Sequence, residues 1–384
     1  MVDAKTHRPT AALIGVTGYG RIHFRELTRL HEAGALKLAA ATVINPDEAV
    51  EACERLAARK VAIYQDFQDM LDAEGSLDLC CIPTGIAWHR PMAEAALARG
   101  ANVLLEKPLA GRLADARAIV EAGRRADRWV AVGFQATWNP STRAIKQAIT
   151  EGRLGTIRRI AVTGIWPRPR AYYQRNAWAG RKRNEIGVIN DNPANNALAH
   201  FLNLALFFAS PEPGQCARVL GAEAELTRAN PIETYDTVLA EFHTATEAGT
   251  RIFYGVTHAA AQHHHPVITI IGDAGRAIWS LESCRIEPAQ GDGQDYPGSD
   301  EDGSRALVFD SLARRLQGDD AQFLFTAEQA LAHAEAVEAI DAGGTIQDRQ
   351  DEAEIHGDNP DNPLRVLPGI EEQIFSQAQR FLAG

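Results

Sequence analysis

The chain has 384 residues, 45% of them apolar and 23% charged, with a net charge of −11. This is the composition of a folded globular protein, which excludes a disordered or collagen-like chain, and at roughly 150 residues per domain it predicts two domains. An acidic balance gives no general attraction to phosphate backbones or anionic lipid, so neither nucleic acid nor a membrane is an expected partner.

Cys53, Cys80, Cys81, Cys216 and Cys284 form no C-x-x-C pair. Their odd number and scatter predict reduced, mostly buried thiols and no structural metal. The first ten residues are polar, and no run approaches the ~18 apolar residues of a membrane span, so the expected location is the cytoplasm.

Short apolar runs at 11–16, 36–44, 61–64, 77–82, 102–106 and 129–134 alternate with amphipathic segments at 22–33, 47–59, 91–99 and 113–127. That rhythm predicts an α/β unit over residues 1–134, a Rossmann-type, doubly wound parallel sheet built from β-α-β repeats. Such a sheet binds ligands beyond the carboxyl ends of its strands, where the strand order reverses.

At the first of those ends stands Gly15-Val16-Thr17-Gly18-Tyr19-Gly20-Arg21-Ile22-His23. Glycine permits a sharp turn and lets a pyrophosphate approach the amides of a helix amino terminus. His23 replaces the third glycine of G-x-G-x-x-G. The position of the turn, after a first strand and before a helix, points to a dinucleotide. The second strand ends in Ile44-Asn45-Pro46, with neither the acid that selects NAD nor an arginine for the NADP phosphate, so either cofactor remains open.

The fourth and fifth strands add Cys81-Ile82-Pro83-Thr84, then His89, then Val103-Leu104-Leu105-Glu106-Lys107-Pro108. This arrangement resembles the Gfo/Idh/MocA family, named for glucose-fructose oxidoreductase and inositol dehydrogenase, whose hallmark is E-K-P at the end of the fifth strand. The loop between Pro83 and His89 is longer than the usual form. The resemblance implies cofactor contacts from Gly18, Tyr19, Gly20, Arg21, Ile22, Asn45, Pro83, Thr84, His89, Glu106, Lys107 and Gln135. Chemistry gives Lys107 a reason of its own. An ammonium at the carboxyl end of a central strand can hydrogen-bond an oxygen that gains negative charge as hydride leaves.

From residue 135 to 384 the rhythm changes. A helical stretch at 141–151 precedes alternating runs at 157–165, 217–227, 235–244, 249–258 and 266–271, which predict an α+β domain with a mostly antiparallel sheet covered by helices on one face. In the family, the open face of that sheet often supports oligomers, so a dimer or tetramer is expected. The segment from Trp166 to Arg181 mixes aromatic planes with guanidinium groups. Arg168, Tyr173 and Trp178 are the expected substrate contacts, by likeness to the family's W-x-R, YY and W-x-G elements.

In Asn190-Asp191-Asn192-Pro193-Ala194-Asn195-Asn196-Ala197-Leu198-Ala199-His200, Pro193 suits the first turn of a helix capped by Asp191 or Asn192. Asn196 and His200, four apart, then share a face. The family commonly carries Asp-x-x-x-His here, with the histidine as general base. This implies catalytic roles for Lys107, His200 and Asn196, with Asn196 and His200 also touching substrate. An asparagine can orient an imidazole but cannot lend it negative charge. His263-His264-His265 is read as ordinary strand histidines. Residues 287–303 and 348–361 are read as solvated acidic loops, and the chain closes in an amphipathic helix.

The expected activity is that of an NAD(P)-dependent oxidoreductase acting on a secondary alcohol or ketone of a sugar, cyclitol or polyol. The alternatives are an NAD-dependent, glycosidase-type enzyme on the same scaffold and a dinucleotide-binding regulator without catalysis.

Overall fold

The computed structural model describes residues 8–384 apart from 299 and 358, and these residues form two compact units. The first begins β1 (Thr10–Ile14), α1 (Gly20–Glu32), β2 (Lys37–Thr42), α2 (Val50–Ala58), β3 (Ala62–Tyr64), α3 (Phe67–Glu74), β4 (Leu79–Ile82), α4 (His89–Ala98), β5 (Asn102–Leu105), α5 (Leu113–Ala126) and β6 (Val130–Val132). All six strands pair in parallel in the order β3-β2-β1-β4-β5-β6. The order reverses between β1 and β4, as the alternating apolar runs predict. Ala11, Ala12 and Leu13 on β1 and all four residues of β4 are completely buried. Burial on both faces explains why these strands read as continuous apolar runs.

The second unit contributes α6 (Pro140–Thr150), β7 (Ile157–Ile165), α7 (Arg170–Gln174), α8 (Ala199–Ala209), β8 (Val219–Arg228), β9 (Thr237–Thr244), β10 (Arg251–Thr257), β11 (His264–Gly272), β12 (Gly275–Ser280), β13 (Ser283–Pro288) and β14 (Gln294–Pro297). The chain continues through α9 (Glu301–Leu316), α10 (Ala327–Gly343), β15 (Ile346–Asp348), β16 (Glu354–His356), β17 (Leu364–Val366) and α11 (Ile370–Ala383). The nine-stranded sheet runs β14-β13-β12-β11-β7-β10-β9-β8-β15 and is mostly antiparallel, with β7–β10 and β8–β15 the parallel pairs.

Helix α8 is apolar on nearly every side, and Phe201 to Ala209 are all buried. Its carboxyl end is closed by Lys146, whose ammonium donates to the carbonyls of Phe207 (2.7 Å), Ser210 (2.5 Å) and Gln215 (3.1 Å). Burial lowers that lysine's pKa to about 8. The other face of β7 is not bare. Ile370, Ile374, Ala378 and Phe381 of α11 pack on Ala161, Ile165 and Phe253, so the closing amphipathic helix completes the core of its own unit.

Two local expectations change. The residues read as solvated loops at 287–303 and 348–361 include β14 and β16, short polar strands without apolar alternation. Residues 193–198 form hydrogen-bonded turns, and α8 begins only at Ala199. The carbonyls of Asn192 and Pro193 are taken by the amides of Asn196 and Leu198, and the Asn192 side chain accepts from the Asn195 amide at 2.9 Å. Pro193 therefore opens a turn rather than a helix.

The chain also returns to the first unit, which comprises residues 8–110, 114–135 and 302–328. There α9 packs on α1: Phe309 meets the His23 ring at 5.1 Å, and Arg29 pairs with Asp310 at 2.8 Å.

Candidate active site

In the first unit, the residues expected to hold a dinucleotide gather at the carboxyl ends of the parallel strands. Gly18 to Ile22 turn from β1 into α1, Asn45 follows β2, Pro83 and Thr84 follow β4, Glu106 and Lys107 follow β5, and Gln135 follows β6. A side chain on Gly20 would strike the Gly15 carbonyl, and the Pro83 ring lies 3.6 Å from the same point, so only glycine fits. Gly15 and Gly18 hold φ of +93° and +56°, where a Cβ is strained. No side chain caps α1 at Tyr19, and Thr17, Gly18 and Tyr19 are exposed, which leaves the helix end open to an anion. These features fit a dinucleotide.

His23, the departure from the glycine pattern, has a structural role. It is buried, and its Nε2 lies 2.8 Å from Glu106 Oε1, while Glu106 Oε2 accepts from the Lys107 amide at 3.2 Å. Gly133 leaves the space this carboxylate occupies, since a Cβ there would stand 2.7 Å from Glu106 Oε1. The pair ties the cofactor turn to the corner that carries Lys107.

His89 faces the interior of its unit. It is completely buried, with Nδ1 2.9 Å from the Pro108 carbonyl and Nε2 3.2 Å from that of Thr84. Burial lowers its pKa, so the neutral ring has one N–H, which the shorter contact assigns to Pro108. Its place at the start of α4 turns the ring inward, where its single N–H holds the Pro108 carbonyl of the loop after β5.

Two residues beside the turn were not legible in sequence. Glu48 Oε1 accepts from Asn45 Nδ2 at 3.2 Å, so a carboxylate does stand at the end of β2, three residues late. Arg305, from α9, donates to the Tyr19 hydroxyl at 3.3 Å across 286 positions of chain.

In the second unit, Asn196 and His200 are both half-buried, in the turn before α8 and in its first turn. Asn196 Nδ2 donates to Asp191 Oδ1 at 2.6 Å. Asp191 is 5% exposed, and its other oxygen accepts from the Gly180 amide at 2.7 Å and faces Arg175 at 3.6 Å. The carboxylate missing at position 196 is thus supplied from five residues upstream. One buried acid fixes both the turn before His200 and the 175–180 loop. Sequence had marked Asp191 only as a possible cap.

Two of the expected substrate contacts, Arg168 and Trp178, lie in one stack of rings and guanidinium groups. His263 lies parallel to Trp166, Arg168 sits over Trp166 (5.5 Å) and Tyr172 (4.6 Å), and Arg175 sits over Tyr172 (3.8 Å) and Trp178 (5.1 Å). Tyr173 packs beside Gly180. Burial first, and the charges of Asp236 and Asp191 after it, push its phenol well above the ordinary range, so it remains a protonated donor. His263 and His265 do share a side, with rings 4.6 Å apart. Among the described residues, no group of three or more His, Cys, Asp or Glu is placed to hold a metal ion.

Residues 12–134 match the family described as an oxidoreductase family with an NAD-binding Rossmann fold, and residues 142–278 match the C-terminal domain of the same family. The chain belongs to the Gfo/Idh/MocA family. Its first unit is accordingly that family's NAD-binding domain.

D-apiose dehydrogenase of Paraburkholderia graminis is 27% identical over 234 residues, 60% of this chain and 58% of its own. Inositol 2-dehydrogenase of Paracoccus denitrificans is 37% identical over 145 residues, 36% of this chain and 41% of its own. The chain thus spans about half the length of these curated relatives. Among solved structures, the WlbA dehydrogenase of Chromobacterium violaceum, in complex with NADH and UDP-GlcNAcA, superposes with a TM-score of 0.74 at 22% identity, covering 89% of this chain and 94% of that one. Levoglucosan dehydrogenase, in complex with NADH and levoglucosan, gives 0.71 at 15% identity, covering 88% and 98%. At these identities the likeness shows the fold shared by Gfo/Idh/MocA proteins.

Proposed function

We propose that this Gfo/Idh/MocA protein is an NAD(P)-dependent dehydrogenase or reductase acting on a secondary alcohol or ketone of a sugar, cyclitol or related polyol. The observation that carries this reading is the His23–Glu106 contact, which joins the dinucleotide turn to the corner holding Lys107. The glycine turn holds the pyrophosphate, with Pro83, Thr84 and Gln135 at neighbouring strand ends, and Asn45 and Glu48 receive the ribose hydroxyls. A bound nicotinamide supplies hydride chemistry. Lys107 hydrogen-bonds the substrate oxygen as it gains charge, and His200 takes the hydroxyl proton, its turn held by Asn196 through Asp191.

Glu48 favours NAD, because a carboxylate bonds ribose hydroxyls and repels a 2′-phosphate. The named relatives, an apiose and an inositol dehydrogenase, support the substrate class. Five unpaired cysteines are in keeping with a cytoplasmic location, and no described helix is long and apolar enough to cross a membrane. The half-exposed strip of Val267, Thr269, Ile271 and Ile278 offers a surface for a homodimer or tetramer.

The test is a screen of sugars, cyclitols and sugar acids with NAD, followed by the absorbance of reduced nicotinamide. Steady accumulation with one member, lost in Lys107→Met and in His200→Ala, is the expected result. Cofactor binding without any absorbance change would indicate a regulator, and glycoside cleavage with no net reduced cofactor would indicate the glycosidase-type reaction. Either result overturns the proposal.

A further inference from the structure

In a chain of net charge −11, residues 152–184 contain nine arginines and lysines and no acid. The structure compensates several of these cations from elsewhere in the second unit. Arg158 pairs with Asp273 at 2.7 Å, Arg175 with Asp191 at 3.6 Å and Arg181 with Glu233 at 3.4 Å. Arg159 donates to the Leu382 carbonyl. Arg168 is different. No described carboxylate lies within ion-pair distance of it, and its Nε is buried without an acceptor.

The surroundings of Arg168 sharpen the imbalance. Its guanidinium lies between the Trp166 and Tyr172 rings, and Arg175 sits over the same Tyr172 ring. Of the nearby acids, Asp191 is engaged by Arg175, the Gly180 amide and Asn196, and Asp236 by the Ala229 and Asn230 amides. The His258 ring lies 5.9 Å from that of Tyr172. Burial, aided by the Arg168 charge, holds its pKa at about 3, so it stays neutral and donates its Nδ1 proton to the Trp166 carbonyl at 2.8 Å. A half-buried cation without an anion carries a desolvation cost that a bound anion removes. A planar guanidinium fixed between aromatic faces also has its donor fork already oriented for an oxyanion.

We propose that the substrate is an anionic sugar derivative, bearing a carboxylate or a phosphate ester, and that Arg168 receives that oxyanion while the Trp166, Tyr172 and Trp178 rings line the sugar. This rests on the reading that the 166–178 segment meets the substrate. It goes further, because a site for neutral polyols has no need of an uncompensated guanidinium.

The test is calorimetric binding to the full chain loaded with NADH, using D-glucuronate, D-glucose 6-phosphate and D-glucose as probes, so that turnover is not required. The expected result is that one or both anions bind about tenfold or more tightly than glucose. Arg168→Gln should remove that advantage, Arg168→Lys should restore part of it, and Arg170→Gln, at an exposed neighbour, should keep it. The acid and ester arms distinguish a carboxylate from a phosphate site. If neither anion binds more tightly than glucose, or if the folded Arg168→Gln protein keeps the preference, the proposal is wrong. Anion binding without turnover of any probe would leave it standing while counting against the dehydrogenase reading.

Discussion

Exchanging the charge between Asp191 and Asn196 tests the carboxylate relay before His200 from first principles. In Asn196→Asp, the amide that donates at 2.6 Å becomes a second carboxylate against a buried one. Two such groups this close cannot both ionise without strong repulsion, which costs on the order of 3–5 kcal/mol. Asp191→Asn removes the carboxylate partner of Arg175 and weakens the acceptor for the Gly180 amide, a loss of about 1–2 kcal/mol. The double exchange places one carboxylate opposite one amide again. It should therefore be more stable than Asn196→Asp alone, giving a coupling of about 2–4 kcal/mol in the double-mutant cycle. Urea unfolding of the four proteins at pH 7 measures this. The Asn196→Asp penalty should also shrink towards pH 5, because the group with the raised pKa binds its proton in the folded state. Additive effects, or an Asn196→Asp protein as stable as the parent, would refute the geometry.

Other outcomes follow from single features. Gly20→Ala drives a Cβ into the Gly15 carbonyl and should cost about 1–3 kcal/mol, weakening NADH binding measured by fluorescence titration; unchanged affinity would mean the turn does not hold the cofactor. His258, with its pKa held at about 3 against an ordinary 6.5, stays neutral in the fold while the unfolded chain takes a proton. Stability should therefore fall as pH drops from 6.5 towards 3, by about 2 kcal/mol at pH 5. Urea midpoints should show a smaller acid loss in His258→Gln, and equal losses would contradict the assignment. Glu48 predicts a preference for NAD over NADP of about tenfold or more in kcat/KM, narrowed in Glu48→Gln; an unbiased parent enzyme would refute it.

The first unit was legible because its strands are buried on both faces and its helices carry the opposite periodicity. Chain order alone then places Gly18, Thr84, Lys107 and Gln135 at the same sheet edge. Contacts between distant parts of the sequence were not legible. Arg305 reaches Tyr19 across 286 positions, and His23 meets Glu106 across 83, which no local pattern encodes. The inward ring of His89 was not legible, because a histidine before a helix looks the same in sequence whether its ring faces a ligand or two carbonyls. Asn196 looked like the loss of a carboxylate because spacing registers only the residue four before His200, whereas the turn folds Asp191 back on it. The polar strands β14 and β16 lack apolar alternation, so composition made them loops.

The proposed function assigns Lys107 and His200 to one reaction. Single-turnover hydride transfer, measured for the parent, Lys107→Met, His200→Ala and the double variant on the best substrate of the screen, tests it most directly. Each single change should slow transfer by about 10²–10⁴, and the double variant should be little slower than the worse single one, since groups acting as a unit are not additive. Undiminished rates in either single variant, or two losses that multiply in full, would contradict the claim.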